Sequence, residues 1–404
     1  MSAKNLRHIK FKDFITLQRG FDLPKNKMVE GHYPVVGSTS IIGYHNEYKV
    51  NPPGVVTGRS GSLGEVQYLK EKYWAHNTSL WVKDFKGNYP RYVYYFLKTI
   101  NLQRFNSGAG VPTLNRNDLD VLECAIHKFE EQKKVAYILS TYDDLIENNN
   151  RRIKILEEMA QAIYKEWFVN FHFPEHQKVK RIKSELGMIP MGWEVKKLEE
   201  VLSEIESGSR PKGGIDPSER GIPSIGAENI LGLGQYDYAK EKYVSQEFYE
   251  NMLRGHIKNK DVLLYKDGAQ IGRKSMFREG FPHEICCINE HVFILRTNEL
   301  CTQNYLYFWL DQPEITQKIR NLNANAAQPG INQAGVKGLP ILLPLKSLID
   351  DFENISEPLL AELFNLAKKN NLLRKTSDLL LPKLISGDID VEKLDIKSIN
   401  GVTV

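Results

Sequence analysis

An internal duplication constrains this chain most strongly, because a repeated sequence has to build the same unit twice. Pro34 recurs as Pro223 after 189 positions, and Gly61 recurs as Gly268 after 207 positions. From about residue 112 the offset between the copies stays at 217 positions. The two copies therefore differ by insertions only in the part of each copy that precedes this point. The chain is predicted to contain two related folding units in succession.

Each copy ends in a long amphipathic helix. In the first copy, apolar residues from Val135 to Trp167 recur every three or four positions, which is the spacing of one helical stripe. The same stripe recurs 217 positions later, from Phe352 to Leu384. A helix of ~35 to 38 residues is roughly 55 Å long and needs a partner along its whole stripe. The sequence predicts that the two helices pair as an antiparallel coiled coil.

Two amides interrupt these apolar stripes, Asn149 in the first helix and Asn370 in the second. If a pseudo-two-fold axis relates the helices near positions 151 and 368, both amides fall in one layer. Facing amides satisfy each other's hydrogen bonds and disfavour slipped registers. We predict such a layer, with the two Cβ atoms no more than ~10 Å apart. The alternative is two unrelated, solvated amides in Asn-rich stretches.

Short β-rich runs separated by Gly and Pro precede each long helix, together with one aromatic helix near Tyr92 or Tyr305. This pattern predicts an α+β fold with two pseudo-symmetric α/β domains. Pro, Gly and a basic run between the copies are typical of a linker. The predicted divisions are a first globular domain at 1–128, a long helix at 129–172, a linker at 173–192, a second globular domain at 193–345, a long helix at 346–388 and a tail at 389–404.

Composition is that of an ordinary globular protein. The chain has 54 Lys and Arg against 50 Asp and Glu, and the resulting net charge of +4 permits an anionic partner without requiring one. The N-terminus lacks a signal-peptide core, and no window reaches the ~18 apolar residues of a membrane span. We therefore expect a cytoplasmic protein. Four cysteines without a CxxC pair predict reduced thiols and no metal site.

One motif offers an enzymatic alternative. Asn51-Pro52-Pro53-Gly54 resembles the string with which amino methyltransferases hold a flipped adenine, but those enzymes place an aromatic ring at the fourth position. Gly54 supplies no ring to stack on the base. The sequence also lacks a phosphate-binding fingerprint and histidines at metal-ligand spacing. We predict that the chain is not an enzyme, and a DNA methyltransferase remains an alternative.

Cationic, amide, hydroxyl and acidic side chains recur in equivalent loops of both copies. Arg and Lys bind phosphates or guanine edges, whereas amides, hydroxyls and carboxylates read base edges. We expect Lys25 and Lys212 to contact phosphates, and Arg59 and Lys266 to contact bases. The alternative for each residue is an ordinary solvated surface. The candidate DNA-binding residues are Lys25, Ser38, Thr39, Ser40, Arg59, Ser60, Asn115, Arg116, Arg210, Lys212, Glu228, Asn229, Lys266, Asp267, Arg273 and Asn332.

The duplicated layout and several local strings resemble the specificity subunit of bacterial and archaeal type I restriction-modification systems. The strings are AQAIYKEWFV at 160–169, SELGMIPMGW at 184–193 and PKLISGDI at 382–389, and the likeness extends from about residue 11 to 395. The copies depart from two-fold symmetry where Gln132-Lys133-Lys134 becomes Ile349-Asp350-Asp351. A partner contact that rests on this triplet would exist in one copy only.

The resemblance implies a non-catalytic subunit whose two target-recognition domains bind a bipartite site in double-stranded DNA, with an unread spacer of fixed length. It implies two methyltransferase (modification) subunits and restriction or motor subunits as partners. S-adenosylmethionine, ATP and Mg would belong to those partners, and this chain would hold no cofactor. A duplicated protein-binding adaptor without a DNA role is the alternative of a different class.

Overall fold

The computed structural model describes residues 6–108, 110–212, 220–323, 330–392 and 394. The chain divides into two compact units, the first comprising Met1–Ile146 with Leu373–Val404, and the second Glu147–Leu372. The division falls within the two long helices, so each unit contains one globular domain and parts of both helices. In the portion of the chain that the structure describes, no helix is long and apolar enough to cross a membrane.

The first globular domain combines short strands with a few short helices and leads into the first long helix. Its elements in chain order are β1 (Arg7–Lys10), α1 (Phe11–Phe14), β2 (Thr16–Arg19), β3 (Tyr33–Val36), β4 (Ile41–His45), β5 (Gly54–Gly58), β6 (Val66–Leu69), β7 (Trp74–Ala75), β8 (Ser79–Asp84), α2 (Pro90–Thr99), α3 (Arg116–Asp120), β9 (Glu123–Ile126) and α4 (Phe129–Tyr164), with 3-10 turns at Lys25–Lys27 and Leu102–Phe105.

Two sheets and one strand pair organise this domain. Strands β2, β8, β5 and β6 form an antiparallel sheet in that order. In the smaller sheet, β3 pairs antiparallel with β4 and parallel with β7. Strand β1 pairs antiparallel with β9, which brings the start of the domain beside its end. The aromatic helix α2 buries Tyr92 and Phe96 against Phe14, with ring centroids 6.5 and 4.8 Å from that side chain, so its apolar face completes the core.

The second unit repeats this plan with additions. A π-helical segment, Lys165–Val169, follows α4. The further elements are β10 (Arg181–Ser184), β11 (Gly187–Pro190), β12 (Glu194–Lys197), α5 (Leu198–Val201), β13 (Leu202–Ser207), β14 (Ile222–Ile225), β15 (Ile230–Gly232), β16 (Gln235–Tyr236), β17 (Lys242–Val244), α6 (Gln246–Glu250), β18 (Val262–Tyr265), β19 (Lys274–Met276), β20 (Cys287–Ile288), β21 (Val292–Thr297), α7 (Gln303–Asp311), α8 (Pro313–Asn321), α9 (Gln333–Lys337), β22 (Pro340–Leu343) and α10 (Lys346–Ile385), with 3-10 turns at His176–Lys178, Ala227–Asn229 and Tyr238–Lys240.

Sheet topology confirms the duplication. Strands β13, β21, β18 and β19 reproduce the order of β2, β8, β5 and β6, and β17, β14 and β20 reproduce β4, β3 and β7. The pair β12 and β22 repeats β1 and β9. The second copy adds the hairpin of β15 with β16 and the helix α6, which accounts for its longer sequence before β18. The predicted α+β class with two pseudo-symmetric domains is confirmed.

Within the second unit, α4 and α10 pack antiparallel, as predicted. Arg152 on α4 forms an ion pair with Glu362 on α10, with an N–O distance of 2.8 Å. Further along α4, the ring centroid of Tyr164 lies 5.7 Å from that of Phe352. Because the contacted position on α10 falls as the position on α4 rises, the two helices run in opposite directions.

The predicted amide layer is present between these helices. Nδ2 of Asn149 donates to Oδ1 of Asn370 at 2.9 Å, and Nδ2 of Asn370 donates to Oδ1 of Asn150 at 2.9 Å. Asn149 and Asn370 are 8% and 2% exposed, so the alternative of two solvated amides is wrong. Each amide finds a polar partner across an apolar seam, which makes this register more favourable than slipped ones.

The segment predicted to be a linker, 173–192, is an ordered part of the second unit. Strands β10 and β11 form an antiparallel hairpin. Phe173, Ile189 and Trp193 are buried in the core of the unit, and the rings of Phe173 and Trp193 lie 5.3 Å apart. The Gly and Pro residues that suggested a linker form turns in this segment. The aromatic residues hold the segment in place.

Gln132, where the two copies depart from symmetry, lies in the interior of the protein. Gln132 is 1% exposed, and its Oε1 accepts a hydrogen bond from the backbone N–H of Tyr89 at 2.9 Å. Its Nε2 donates to Oδ1 of Asn88 at 2.8 Å and to the carbonyl of His127 at 2.9 Å. The equivalent Ile349 is fully buried among apolar side chains. Gln132 therefore supports the first domain and does not offer its side chain to a partner.

Replacing Asn370 by Ala should destabilise the helix pair. The change leaves the buried amide of Asn149 without its acceptor, which costs about 1–3 kcal/mol. We expect the free energy of unfolding in urea to fall by that amount. Replacing both Asn149 and Asn370 by Leu should recover much of the loss, because no buried amide then remains unpaired and the exposed Asn150 can bond water.

The exposed Asn365 on the same helix provides a matched control, and Asn365→Ala should change stability by less than about 0.5 kcal/mol. Equal unfolding curves for Asn370→Ala and Asn365→Ala would show that the amide layer does not contribute to stability.

Candidate nucleic-acid interface

A polar cleft of about 970 Å³ opens in the first domain beside β2 and β8. Cationic side chains from separate parts of the domain line it: Arg19, Arg59, Lys83 and Arg116. Asn115 also belongs to the lining. The fold therefore brings together three predicted residues, Arg59, Asn115 and Arg116. Sequence analysis missed Arg19 and Lys83, because neither lies in a loop that recurs in the other copy.

The backbone holds Arg59 firmly at the rim of β5. Its N–H donates to the carbonyl of Thr78 at 2.8 Å, and its carbonyl accepts from the N–H of Leu114 at 2.8 Å. Nη1 meets only the carbonyl of Asn77, at 3.4 Å. The main chain is thus fixed while the guanidinium keeps donors for a ligand.

We call this cleft, with Arg19, Arg59, Lys83 and Arg116 in its lining, the basic cleft. Its other cations differ in whether they form an ion pair with a carboxylate. Arg19 forms an exposed ion pair with Asp22 at 2.8 Å, and Nη1 of Arg116 donates to the carbonyl of Leu17 at 3.2 Å. Among the described residues, neither Arg59, Lys83 nor Arg116 has a carboxylate within 4.0 Å. Their positive charge is available to an anion.

The second domain places Lys266 in the same backbone setting as Arg59. The N–H of Lys266 donates to the carbonyl of His291 at 3.1 Å, and its carbonyl accepts from the N–H of Ile331 at 3.0 Å. These partners are the repeat equivalents of Thr78 and Leu114. Gly61 and Gly268, which follow shortly after, both have positive φ, 92° and 95°. Glycine adopts such angles without strain, so these residues serve as turn glycines in both copies.

Several cations of the second domain form ion pairs with carboxylates. Nζ of Lys266 lies 3.1 Å from Oδ2 of Asp267, and Nε of Arg210 lies 3.3 Å from Oε1 of Glu290. Arg296, the repeat equivalent of Lys83, donates to Asp261 at 2.6 and 2.7 Å and pairs with Glu206 at 2.9 Å. The two domains share a backbone plan and present different electrostatic surfaces.

Glu228 is one of these paired acids. It accepts a hydrogen bond from Nζ of Lys242 at 2.7 Å. Burial acts to raise the pKa of Glu228, but this hydrogen bond and the charge of Lys242 lower the pKa below its ordinary value. Glu228 is therefore ionised at neutral pH and acts only as a hydrogen-bond acceptor. The nearby Arg273 donates from Nη1 to the carbonyl of Ile230 at 3.2 Å.

The remaining predicted residues lie outside the basic cleft or beside it. Lys25 and Lys212 are exposed, Lys25 at the start of its 3-10 turn. Ser38, Thr39 and Ser40 form the turn between β3 and β4, where the carbonyl of Ser40 accepts from the N–H of Gly37 at 2.9 Å. Ser60 continues from Arg59, and its N–H donates to the carbonyl of Thr78 at 3.1 Å.

Three predicted amides have structural roles. Oδ1 of Asn115 accepts from the N–H of Asn117 at 3.1 Å, and Oδ1 of Asn332 accepts from the N–H of Gly335 at 2.8 Å. Both therefore cap short helices, α3 and α9. Asn229 is 1% exposed and bonds the N–H of Gly226 and the carbonyl of Asp237. We correct its assignment as a DNA contact, because the loop folds inward and uses its amide to hold itself.

The enzymatic alternative finds no support at Asn51-Pro52-Pro53-Gly54. Gly54 begins the buried strand β5, and a Cβ there would overlap the ring of Tyr73, so this position lies inside the domain. The cysteines Cys124, Cys286, Cys287 and Cys301 are free and buried, and burial raises the pKa of Cys124 to about 11. The described residues contain no group of three or more His, Cys, Asp or Glu arranged to hold a metal ion.

Comparison with known proteins shows which family this chain resembles. Residues 4–158 match the family described as the type I restriction modification DNA specificity domain. The first part of the chain is therefore similar to that family. It is 28% identical over 317 residues to the MjaIX type I restriction enzyme specificity subunit of Methanocaldococcus jannaschii, covering 76% of this chain and 71% of that protein.

Other known proteins show the same likeness. The HindI specificity subunit of Haemophilus influenzae is 22% identical over 348 residues, covering 69% of this chain and 71% of the relative. The crystal structure of an S subunit of the type I restriction-modification system from M. genitalium has the same fold, with a TM-score of 0.60 and 17% identity over 95% of this chain and 97% of that one. These curated relatives are named as specificity subunits of type I restriction enzymes.

Substitutions of Asn332 distinguish capping from DNA contact. Asn332→Ala removes the cap of α9 and should lower the free energy of unfolding by about 1 kcal/mol. Asn332→Asp keeps a capping oxygen and should leave stability within about 0.5 kcal/mol of the unsubstituted chain. Urea unfolding measures both variants.

If Asn332 also faces DNA, the added charge of Asn332→Asp should weaken duplex binding although the fold is intact. Unchanged DNA affinity in Asn332→Asp would restrict this residue to its capping role. An Asn332→Ala protein as stable as the unsubstituted chain would contradict the cap.

Proposed function

We propose that this chain is the DNA-recognition subunit of a type I restriction-modification complex. Its two domains would each read one half of a bipartite site in double-stranded DNA, and the bases between the halves would form an unread spacer of fixed length. The basic cleft carries this proposal, because Arg59, Lys83 and Arg116 place unpaired positive charge around one concave surface. A protein-binding adaptor without a DNA role gives no reason for such a cleft.

Within the cleft, Arg59 suits base readout better than its neighbours do. Its backbone is hydrogen-bonded on both sides, so the guanidinium starts from a fixed point. A fixed guanidinium can bind the O6 and N7 acceptors of guanine in the major groove as a bidentate pair. Lys83 and Arg116, which lie around it, suit the flanking phosphates.

The second domain is proposed to read its half-site with fewer free cations. Lys266 and Arg210 each have a carboxylate partner, so contact with phosphate would require those ion pairs to open. Carboxylates such as those of Glu228 and Asp267 accept hydrogen bonds, and in the major groove cytosine and adenine present donors. The two half-sites are therefore expected to differ in sequence.

We also propose that the chain holds two methyltransferase (modification) subunits, joined by restriction or motor subunits. S-adenosylmethionine, ATP and Mg are assigned to those partners, and the complex is assigned to the cytoplasm. Two apolar side chains on one face of α4 support a scaffolding role: Ile155 and Met159 are one turn apart and are 54% and 47% exposed. Exposed apolar side chains on one helix face are typical of a subunit contact.

DNA binding by the assembled complex tests the recognition role. With a labelled duplex that carries the site found by methylome sequencing of the host, Arg116→Ala should reduce the slope of log affinity against log salt by about 0.9, the effect of one lost phosphate contact. Arg59→Ala should instead lose about 1–3 kcal/mol of discrimination at one base pair. Fluorescence anisotropy gives both quantities.

Lys133 serves as the control, since its Nζ already pairs with Glu130 at 3.0 Å. Lys133→Ala should leave the affinity and the salt slope unchanged. If Arg59→Ala kept full discrimination at every base pair, base readout by Arg59 would be excluded.

Assembly tests the scaffolding role. Ile155→Glu combined with Met159→Glu should weaken co-purification with the methyltransferase subunit by at least about tenfold, because an unpaired buried carboxylate costs more than about 1.4 kcal/mol. Lys154→Gln, at a neighbouring position whose side chain is 75% exposed, is the matched control and should co-purify normally. Normal assembly of the double variant would show that this face of α4 is not a subunit contact.

A further inference from the structure

An edge strand of the first domain exposes large apolar side chains. Strand β4 lies at the edge of its sheet and pairs with β3. On it, Ile41, Ile42 and Tyr44 are 42%, 49% and 51% exposed. We call these three residues the β4 patch. Single exposed apolar side chains are ordinary, but three within four positions of an edge strand form a surface that favours a binding partner.

The β4 patch continues into a concave surface. Ile42 and Tyr44 line a cavity of about 720 Å³ together with Leu23 and Met28. Met28 approaches β4 closely: a Cβ at Gly43 would lie 2.7 Å from its sulfur, so the glycine makes room for it. The wall of the cavity on the β4 side is therefore apolar, and it is open to solvent at the exposed side chains.

Positive charge lies beside this apolar wall. Lys25 belongs to the lining of the cavity, and Lys27 follows two positions later in the same exposed 3-10 turn. Neither lysine has a carboxylate within 4.0 Å in the described ranges of the chain, although Glu30 also lines the cavity. An apolar surface beside free lysines fits a partner that carries apolar groups next to negative charge.

The β4 patch also adjoins the basic cleft. The turn that leads from β3 into β4 contacts β5, since a Cβ at Gly58 would lie 3.3 Å from the Cβ of Ser38. Gly58 is the last residue of β5, and Arg59 of the basic cleft follows directly. Asp22 lines the basic cleft, and the next residue, Leu23, lines the cavity beside β4, so the two concave surfaces are neighbours. This continuity favours DNA over a separate protein as the occupant.

We propose that Ile42 and Tyr44 contact the 5-methyl groups of thymine in the half-site read by the first domain, while Lys25 binds a flanking phosphate. This inference rests on the proposed function. The thymine methyl is the apolar group that base edges present in the major groove, and phosphates flank it on both strands. The half-site of the first domain therefore contains at least one A·T pair, whose thymine faces β4.

Replacing thymine by 2′-deoxyuridine tests this contact, because the exchange removes only the 5-methyl group. Each thymine of the site is replaced in turn in a duplex bound by the assembled complex, and the half-site of the first domain is the one weakened by Arg59→Ala. At one or more thymines of that half-site, deoxyuridine should weaken binding by about fourfold, the effect of one buried methyl group. Deoxyuridine elsewhere in the site should cause no loss of affinity that depends on the β4 patch.

Variants of the chain assign the effect to β4. The variant that combines Ile42→Ala with Tyr44→Ala should bind the thymine and deoxyuridine duplexes equally well. Leu231→Ala is the matched control, because Leu231 is a 45% exposed apolar residue on β15 of the second domain. It should keep the unsubstituted ratio of affinities. Circular dichroism and urea unfolding check that the variants are folded.

Several outcomes would overturn the inference. These are a first half-site without an A·T pair, equal binding of thymine and deoxyuridine duplexes by the unsubstituted protein, or a double variant that keeps the full preference for thymine. Normal DNA binding with lost co-purification of the methyltransferase subunit in the double variant would make the β4 patch a protein contact instead. Absence of any specific duplex binding would contradict the proposed function itself.

Discussion

The hydrogen bond between Asn149 and Asn370 defines the register of the two long helices, and the second unit is built around that pairing. The bond lies in a buried seam where water cannot replace it, so the amides have to meet each other. A shift of either helix would leave polar groups unpaired among apolar side chains. Apolar side chains of both helices are buried in this core, and the amide layer selects one alignment of the two stripes.

Each globular domain is attached to its helix through polar contacts. In the first unit, the hydroxyl of Tyr95 donates to Asp143 on α4 at 2.5 Å. In the second unit, the buried Arg278 bonds Glu357 on α10, and Lys260 pairs with the same carboxylate at 3.0 Å. Burial acts to raise the pKa of Glu357, but the hydrogen bonds from Arg278 and Lys260 lower it to about 2. The contribution of this pair is thus present at neutral pH and is lost only as the pH falls from about 4.5 towards 2.

The two domains show how one backbone plan can carry two different electrostatic surfaces. Arg59 and Lys266 have the same main-chain hydrogen bonds, yet the guanidinium of Arg59 is free of carboxylates and Lys266 pairs with Asp267. The sheets that position them are built from buried apolar residues, so side chains on the loops can change without loss of the core. Divergence of the two loop surfaces is the expected result of such a duplication.

The sequence by itself determined the duplication, the α+β class, the antiparallel helix pair and the amide layer. These features depend on periodicity and on a constant offset, and both can be counted along the chain without knowledge of distant contacts. The same reasoning placed Arg59, Asn115 and Arg116 among the candidates, since they recur near turn glycines or in equivalent loops. Tertiary structure decided what each of them does. Arg19 and Lys83 join the basic cleft only because β2 and β8 are neighbours in the sheet.

The same distinction explains the corrections. Asn229 is turned inward by its loop, and the predicted linker 173–192 contains a hairpin and packs on Trp193 through Phe173. Burial and long-range packing depend on which remote residues the fold brings together. Local composition does not contain that information.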